Sequence, residues 1–435
     1  MRASFRLHLS LRCEVLLTRG AIVRLIHTSD WHLGHTLHGI PRDHEHACFL
    51  KWLIATIKGQ CADALVITGD VFETHNPSAT AQAAWYAFLA TAKRECPDLD
   101  ILVIGGNHDS AERLNAPAPI LGAFGIHVVG GLARTADDRL DFERLVVPLH
   151  RAGEVVAWVA AVPFLRPADL RGVDDMRQDA LQEGVRILYA EVIAAARAKR
   201  QPGQSLLATG HCYMSGTSLS ELSERKILGG NQHALPADIF PADLAYVALG
   251  HLHRAQAVGR AHVRYSGSPI PLSMSELGYN HQVVLVELDG EGPAVTTAIP
   301  VPVTVKLQRV PADRARPLGE VISLLEALPV RSAAGREDLR PIVEVCVALD
   351  GPQPRLKSEI ERALEGKEAR LAKITVTWPE RKDCEVLAPG AYLVDLVPED
   401  VFQARYRRIF QADPPAPVVG AFLELLETVY EGSLL

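Results

Sequence analysis

The sequence predicts an α/β fold with more than one domain for this chain of 435 residues. Short apolar runs of strand length alternate with longer segments of helical periodicity, and several of these runs end abruptly in polar residues. Alternating strands and helices are typical of α/β folds, whose binding sites gather at the carboxyl ends of strands. The length exceeds what one hydrophobic core usually organises, so we expect two or three domains.

Composition excludes several classes of protein. Hydrophobic residues make up 48% of the chain and charged residues 22%, which excludes intrinsic disorder and collagen-like repeats. The sequence contains no run of about 18 uncharged apolar residues, so we expect no membrane span. The net charge of −7 argues against a surface coated in basic charge, although a local basic patch can still bind nucleic acid. Seven scattered cysteines without a Cys-x-x-Cys pair indicate a reduced, cytoplasmic chain.

Residues 1–22 do not resemble a signal peptide. Arg6, Arg12 and Glu14 interrupt the apolar stretch that such a peptide needs. A strand pattern begins only at residue 23, so we expect residues 1–22 to be a disordered or start-site extension.

Five apolar runs in the first 260 residues are the predicted strands of the main domain. They span residues 23–27, 64–68, 101–104, 206–209 and 246–249. Helical patterns occupy residues 43–58, 78–94 and 175–199; Ser78 can cap the second helix, and the turn at residues 201–203 ends the third.

Two further regions follow Pro300. Strand patterns at residues 302–310, 341–349 and 370–378 alternate with helical patterns at 317–328 and 354–366, which predicts a small α+β unit of βαβαβ order. Residues 398–431 predict a pair of helices separated by a proline-rich break at residues 413–417. Neither region contains a motif that could carry chemistry alone.

Polar residues that can bind a metal ion follow the five predicted strands. They are Asp30, His32, Asp70, Asn107, His211, His251 and His253. Asp30 and His32 lie two residues apart, as do His251 and His253, so in an extended segment each pair would point to one side. This mixture of nitrogen and oxygen donors suits Mn²⁺, Fe²⁺ or Zn²⁺ better than Ca²⁺ or Mg²⁺. Two such ions together can assist the hydrolysis of a phosphoester.

The residues next to these candidates have several interpretations. His108 could stay unligated and either stabilise phosphate charge or protonate a leaving oxygen, with Asp109 orienting its ring. Glu73 either faces the site or is a solvated acid. Six other histidines near the motifs are interpreted as structural or substrate-side residues: His27, His35, His38, His44, His46 and His75.

The order of these motifs resembles the calcineurin-like metallophosphoesterases. The motifs are Asp30-Trp31-His32, Gly69-Asp70-Val71-Phe72, Gly106-Asn107-His108-Asp109, Gly210-His211 and Gly250-His251-Leu252-His253. Two further segments, Pro163-Phe164-Leu165-Arg166-Pro167 and Tyr265-Ser266-Gly267-Ser268-Pro269, make the chain similar to the SbcD family of bacterial nuclease subunits. The resemblance is strongest over residues 23–300 and weaker beyond them.

The resemblance implies a two-sheet sandwich and a set of domains and ligands. The domains would be a nuclease domain at 23–300, a DNA-capping domain at 301–385 and SbcC-binding helices at 398–431. One ion would be bound by Asp30, His32, Asp70 and His253, and the other by Asp70, Asn107, His211 and His251. His108 would act near the leaving group. Mn²⁺ is the ion that the family prefers, with Mg²⁺ or another divalent ion as alternatives.

The resemblance also implies an activity and partners. The activity would be an ATP-dependent 3′-to-5′ double-strand exonuclease, a single-strand endonuclease and a hairpin-opening nuclease in DNA repair, recombination and replication. ATP would bind the SbcC ATPase subunit, in agreement with the absence of a Gly-x-x-x-x-Gly-Lys-Ser/Thr motif from this sequence. The chain would work on DNA as a homodimer within a heterotetramer, in the cytoplasm and associated with the nucleoid.

Alternatives remain for each part. A phosphoprotein phosphatase or cyclic-nucleotide phosphodiesterase could use the same metal ligands, but protein phosphatases of this fold have Glu where this chain has Asp109. A catalytically dead scaffold should have lost ligands. The predicted cap could be a packing domain without DNA contacts, and the C-terminal helices could pack on their own chain. Arg405, Arg407 and Arg408 are either a DNA-binding strip or, as we favour, the solvated face of a helix.

Overall fold

A computed structural model describes residues 22–170, 178–217, 234–332, 336–378 and 398–432 of the chain. These residues form two compact units. The first contains the described residues up to Leu307 together with Arg336–Arg340, and the second contains the rest. The expectation for residues 1–21 lies outside the described residues, and so do residues 379–385 of the predicted cap and the loop at 218–233.

Strands and helices alternate over the first unit up to residue 211, as predicted; beyond it the described residues form strands with only short 3₁₀ helices between them. Its strands are β1 Val23–Thr28, β2 Thr36–Leu37, β3 Ile40–Pro41, β4 Ala64–Thr68, β5 Asp100–Ile104, β6 Ile126–Val129, β7 Val146–Arg151, β8 Glu154–Ala160, β9 Ser205–His211, β10 Tyr246–Gly250, β11 Gln256–Val258, β12 Arg260–Tyr265, β13 Gln282–Leu288 and β14 Val295–Pro300. Its α-helices are α1 Asp43–Gln60, α2 Ala79–Glu95, α3 Ala111–Asn115, α4 Ala118–Gly122, α5 Phe142–Leu145 and α6 Gln178–Lys199. Short 3₁₀ helices lie at Pro167–Asp169, Ala237–Ile239, Met274–Glu276 and Glu337–Leu339.

Two six-stranded sheets form among these residues, in the orders β14-β13-β1-β4-β5-β6 and β11-β12-β10-β9-β8-β7. β1, β4, β5 and β6 are parallel neighbours in the first sheet, as are β8, β9, β10 and β12 in the second. The antiparallel strands β13 and β14 extend the first sheet, and β7 and β11 form the edges of the second. The predicted two-sheet α/β sandwich is confirmed.

The apolar runs lack polar alternation because both faces of the central strands are buried. Leu25 and Val66 point into the core between the sheets, whereas their neighbours Ile26 and Leu65 point into a second core under α1 and α2. Successive side chains of a strand alternate between faces, so a strand that is buried on both faces reads as a continuous apolar run. The five predicted strands are confirmed, and β9 extends two residues further, through His211. The prediction did not identify the antiparallel strands or the parallel strands β6, β8 and β12.

The predicted helices of the first unit are confirmed with small shifts of their ends. Ser78 caps α2 by accepting a hydrogen bond from the Ala81 backbone N–H at 3.2 Å. α6 begins at Gln178, and residues 175–177 of the predicted helix lie outside the described residues. Its apolar stripe of Leu181, Val185, Leu188 and Val192 packs into the core between the sheets.

The second unit begins with a small sheet. Its elements are β15 Leu307–Val310, β16 Arg316–Pro317, α7 Leu318–Glu326, β17 Ile342–Ala348, α8 Leu356–Leu364 and β18 Arg370–Thr377. β17 is the central strand, with β16 and β18 parallel to it. The predicted βαβαβ order is confirmed with two differences: the first strand covers only Leu307–Val310 of the predicted 302–310, and the short β16 precedes the first helix.

Two helices follow, α9 Pro398–Phe410 and α10 Ala416–Gly432, and they confirm the predicted pair. Phe402 of α9 stacks on Phe422 of α10, with ring centroids 4.1 Å apart and planes 8° from parallel. Among the helices that the structure describes, none combines the length and the apolar character that a membrane crossing requires.

Trp31 anchors the loop that follows β1. Its ring is fully buried and meets Phe49, Trp85 and Phe88 edge to face, with centroids 5.2–5.6 Å apart. Its indole N–H donates to the Thr28 hydroxyl at 2.9 Å. The main chain on either side of Trp31 is therefore fixed to the core under α1 and α2.

We expect Trp31→Ala to lower the free energy of unfolding by about 3–5 kcal/mol, because the substitution leaves a large cavity among three aromatic rings. Urea unfolding followed by circular dichroism measures the loss. Tyr86→Ala on α2 is the matched control, since Tyr86 is 39% exposed and should cost far less. Equal losses in the two variants would contradict the anchoring role of Trp31.

Candidate metal centre

Seven polar residues meet where the carboxyl ends of the two sheets come together. Three strands of the first sheet lead to Asp30 and His32, Asp70, and Asn107, and two strands of the second lead to His211, His251 and His253. Each of the metal-binding candidates predicted from the sequence therefore lies at one place in the first unit.

Asp70 lies at the middle of this group. Its Oδ2 atom is 3.5 Å from His32 Nε2 on one side and 3.3 Å from His211 Nε2 on the other. Its Oδ1 atom accepts the backbone N–H of His108 at 2.8 Å. A carboxylate with ligand histidines on both sides is placed to bind two ions at once.

The remaining candidates lie on the two sides of Asp70, and Asp30 reaches both, since its carboxylate also lies within 4.8 Å of donor atoms of Asp70 and His211. On one side, donor atoms of Asp30, His32 and His253 all lie within 4.8 Å of one another. On the other side, the Asn107 side-chain oxygen lies 3.0 Å from His211 Nε2 and 3.1 Å from His251 Nδ1.

Four residues of the site have positive φ angles, and this backbone geometry sets the directions of their side chains. The φ angles are 54° at Asp30, 49° at His32, 50° at Asp70 and 102° at His251. Such values are uncommon for residues other than glycine and cost of order 1–3 kcal/mol each. Asp30 and His32 therefore lie close together, as predicted. The segment between them is not extended, however, because a strained turn brings the two side chains together.

Tight packing between the loops leaves no room for extra side-chain atoms. A Cβ on Gly106 would lie 2.2 Å from Asp70 Oδ1, and a Cβ on Gly250 would lie 1.9 Å from the Thr68 carbonyl oxygen. Gly106 lets the loop of Asn107 lie against Asp70 within the first sheet, and Gly250 lets a loop of the second sheet approach the first, so that their ligands can meet.

The residues fit divalent cations. His32 Nε2 is fully buried and has no hydrogen-bond partner among the described residues, although it points toward Asp70. A buried nitrogen of this kind is costly unless it binds a ligand. The donors around it are imidazole nitrogens and carboxylate and amide oxygens, the set that Mn²⁺, Fe²⁺ and Zn²⁺ accept. The arrangement is therefore that of a divalent-metal centre.

Charge within the cluster agrees with this interpretation. Burial raises the pKa of Asp70, but the imidazoles of His211 and His32 outweigh burial and hold that pKa well below its usual range. Burial lowers the pKa of His211, and the charge of Asp70 and its hydrogen bond raise it, to about 9 overall. Both shifts favour the charged forms of Asp70 and His211, and a buried carboxylate that stays ionised is suited to bind a cation.

The neighbouring His251 is neutral. Burial, together with the positive charge on His211, lowers the pKa of His251 to about 3. A neutral imidazole is the form that binds a metal ion.

His108 lies beside the cluster. Its ring meets the His32 ring edge to face with centroids 4.7 Å apart, and its Nδ1–H donates to the backbone carbonyl of Glu73 at 2.7 Å. A donor atom of His108 also lies within 4.8 Å of donor atoms of His32 and Asp70. The position is close enough to act on a group bound at the cluster.

The prediction that Asp109 orients His108 is wrong. The Asp109 carboxylate instead accepts the backbone N–H groups of Val71 at 3.2 Å, Phe72 at 3.0 Å and Gly106 at 2.9 Å. It therefore ties the loop that carries Asp70 to the loop that carries Asn107. Burial, with a contribution from the charge of Asp70, raises the pKa of Asp109 to about 6.

Two carboxylates contact the outer nitrogens of ligand candidates. Glu73 Oε2 lies 2.9 Å from His32 Nδ1, so Glu73 faces the site and is not a solvated acid. Glu276 Oε1 lies 2.9 Å from His253 Nδ1. The sequence analysis missed Glu276, which lies 23 residues beyond His253. The nearby Ser266-Gly267-Ser268-Pro269 segment, which resembles the SbcD family, was the signal that could have indicated it.

The other histidines near the motifs have different surroundings. His27 and His46 are buried, and burial lowers the pKa of each to about 3. His46 donates from Nε2 to the Trp31 carbonyl, which supports the loop of Asp30 and His32. His35 and His38 line an open cavity of about 390 Å³, which His32, Glu73, His108 and His253 also line.

Matches to known families follow the division of the chain. Residues 23–255 match the model of the calcineurin-like phosphoesterase family, and residues 303–409 match the model described as Type 5 capsule protein repressor C-terminal domain. The first match contains all seven metal-binding candidates and ends just beyond the last of them, His253.

Several curated proteins are similar to the chain over most of its length. The D subunit of the nuclease SbcCD from Rhodobacter capsulatus is 41% identical over 391 residues, which cover 88% of this chain and 94% of that protein. The protein of the same name from Bacillus subtilis is 36% identical over 61% of this chain and 66% of its own length. The one from Escherichia coli strain K12 is 35% identical over 65% of this chain and 69% of its own length. A dimetal phosphatase from Danio rerio, known from a crystal structure, is 10% identical; the match covers 64% of this chain and 99% of that one, with a TM-score of 0.36.

We expect Gly106→Ala to weaken metal binding roughly tenfold or more, because the new Cβ would displace the Asp70 carboxylate from its central position. Metal content after dialysis against Mn²⁺, measured by atomic spectroscopy, tests this. Gly122→Ala is the matched control, since nothing lies within 4 Å of its added Cβ, and it should keep the metal content of the unaltered protein. A Gly106→Ala protein with full metal content would show that the close approach is not required.

Proposed function

The chain belongs to the calcineurin-like phosphoesterases and, within them, to the SbcD family of nuclease subunits, and from that premise we propose that it hydrolyses phosphodiester bonds of DNA. The observation that carries the proposal is the complete set of seven metal-binding candidates around the buried Asp70, with His108 beside them.

The proposed ligand sets share Asp70. Asp30, His32, Asp70 and His253 would hold one ion, and Asp70, Asn107, His211 and His251 the other. Two divalent ions held in this way would polarise the phosphate, activate a water and neutralise the charge that develops on the leaving oxygen. We propose Mn²⁺ as the ion, because imidazole and carboxylate donors together suit it better than Mg²⁺.

His108 would act as the proton donor to the leaving oxygen. The backbone carbonyl of Glu73 accepts the hydrogen on Nδ1, which fixes the ring and leaves Nε2 available to the group that would be cleaved. A protonated ring can give up the hydrogen on Nε2 and keep the one on Nδ1. The proton therefore moves without any rotation of the side chain.

The open cavity beside His108 supports a large substrate. Its lining of imidazoles is polar, and it opens to solvent, so that it can admit a phosphodiester backbone rather than only a small molecule.

The activities that we propose are a 3′-to-5′ double-strand exonuclease, a single-strand endonuclease and hairpin opening, driven by ATP that binds the SbcC-type partner. They would serve DNA repair, recombination and replication in the cytoplasm, near the nucleoid.

The second unit would supply the contacts that a small-molecule phosphodiesterase does not need. We propose that residues 301–385 cap DNA and that the helices at 398–431 bind the SbcC-type ATPase. Exposed apolar side chains on these helices support the second assignment: Val401, Val418, Leu423 and Leu425. Arg407 pairs with Asp413, in agreement with the interpretation of this face of α9 as solvated.

A homodimer within a heterotetramer would form through α1 and α2. An apolar groove runs between these helices, lined by Leu50, Ile54, Ala84, Ala87 and Phe88. Apolar side chains at the bottom of an open groove are typical of surfaces that bind another copy or another protein.

We expect the chain with Mn²⁺, ATP and an SbcC-type partner to cut an end-labelled DNA hairpin, and His108→Ser to cut it at least about 100-fold more slowly while it retains both ions. His262→Ser, on β12 away from the cluster, is the matched control and should cut normally. Denaturing gels measure the cleavage, and atomic spectroscopy measures the ions.

Loss of the ions from His108→Ser would contradict its role as an unligated acid. A hairpin that stays intact in every condition, while bis-p-nitrophenyl phosphate is hydrolysed, would show that the centre acts on small phosphodiesters and that the DNA assignment is wrong.

We expect Ile54→Glu to convert a dimer to a monomer, since dimerisation would have to remove the new carboxylate from water in the apolar groove between α1 and α2. Light scattering coupled to size-exclusion chromatography reports the mass. Ile120→Glu is the matched control, because Ile120 on α4 is 70% exposed and lies outside the groove. A dimer that survives Ile54→Glu would place the interface elsewhere.

A further inference from the structure

We infer that Glu73 and Glu276 are positioning residues that make the two ion sites unequal, so that the site of Asp30, His32 and His253 binds its ion first and more tightly. The inference rests on the metal centre proposed above and goes beyond it, because it assigns an order of filling and names the residues that set this order.

Glu276 is a buried charge with a complete set of partners. Its side chain is almost fully inaccessible, and it contacts His253 Nδ1 at 2.9 Å. It also accepts the Leu272 backbone N–H at 2.9 Å and the Ser268 hydroxyl at 3.3 Å. These contacts hold the carboxylate in place and fix the plane of the His253 ring.

Glu73 plays the same part for His32. Its Oε2 atom lies 2.9 Å from His32 Nδ1 and 3.2 Å from His35 Nδ1. Its side chain is 22% exposed at the mouth of the cavity, so water competes for it more than for Glu276.

The histidines on the other side of Asp70 have different surroundings. His211 Nδ1 donates to the Thr68 backbone carbonyl at 2.8 Å. His251 Nδ1 lies 3.1 Å from the Asn107 side-chain oxygen, which is itself a proposed ligand, so this nitrogen of His251 faces the ion site. Within the part of the chain that the structure describes, no carboxylate contacts Nδ1 of His211 or either ring nitrogen of His251.

A carboxylate on Nδ1 strengthens a histidine ligand in three ways. It keeps the hydrogen on Nδ1, so that Nε2 presents its lone pair; it orients the ring; and it raises the basicity of Nε2. It also adds negative charge near the cation. The site with Asp30 would thus have two supporting carboxylates, whereas the other site has none among the described residues, and each such partner typically changes metal affinity by about 10–100-fold.

The test is a titration of the metal-free full-length protein with Mn²⁺, followed by calorimetry and by electron paramagnetic resonance. We expect two binding steps that differ at least about tenfold in affinity. His251→Ala should keep the tight step and lose the weak one, and His253→Ala should do the reverse. Together these variants assign each step to one side of Asp70.

Glu276→Gln should weaken the tight step by about 10–100-fold and leave the weak step within about threefold. Glu73→Gln should act in the same direction with a smaller change, because Glu73 is partly exposed and shared with His35. Glu45→Gln is the matched control: Glu45 is a buried carboxylate in the same unit, but it pairs with Arg42. It should change neither step, and Glu73→Gln still tests the inference if Glu276→Gln fails to fold.

Two equal binding steps in the unaltered protein would overturn the inference. So would Glu276→Gln and Glu73→Gln proteins in which the tight step keeps its affinity. A Glu45→Gln protein whose tight step is weakened as much as that of Glu276→Gln would overturn it too. Two equal steps in a protein that still cuts hairpins would leave the proposed function intact. A protein that binds no Mn²⁺ would instead overturn the metal centre itself, and so the two failures are distinguishable.

Discussion

The structure of the first unit depends on burying two carboxylates, Asp30 and Asp70, where the two sheets meet. A buried carboxylate costs several kcal/mol unless charge and hydrogen bonds compensate it. Here the compensation comes from the chain: Asp30 accepts the backbone N–H of His251 at 3.0 Å and the Ser29 hydroxyl at 2.6 Å, and Asp70 lies between two imidazoles. The N–H of a residue from the second sheet thus satisfies a carboxylate from the first, so the same contact that builds the site also joins the sheets.

Strain in the ligand loops is balanced by packing outside them. Asp30 and His32 adopt left-handed backbone conformations on either side of Trp31, whose ring lies in the core under α1 and α2. Asp109 holds two other loops together through three backbone N–H groups. Trp31 and Asp109 are not ligands of the proposed ions, yet both fix where the ligands point. A strained loop persists only when its surroundings determine it in this way.

These features mark the limit of what the sequence could predict. The strands β1, β4, β5, β9 and β10 were predictable because burial on both faces makes them continuous apolar runs, and the site followed because its residues come directly after these runs. Asp109 was misassigned because proximity along the chain favoured His108, whereas its partners are backbone N–H groups, which leave no pattern in a sequence. Glu276 was missed because His253 lies on another loop, and β13 and β14 because their pairing joins the end of the unit to its beginning.

His27 and His32 show two different uses of a buried histidine. Both are buried, His27 within β1 and His32 just beyond its end. His27 Nδ1 contacts the Tyr246 hydroxyl at 2.8 Å and Nε2 contacts the Thr68 hydroxyl at 3.0 Å, so both nitrogens are occupied and the ring serves the core. His32 has Glu73 on one nitrogen and, among the described residues, no hydrogen bond on the other. His46 also leaves a buried nitrogen, Nδ1, without a partner among the described residues, but it belongs to no group of metal-binding side chains in this part of the chain. The position of the open nitrogen of His32 beside Asp70 is therefore what marks it as a ligand candidate.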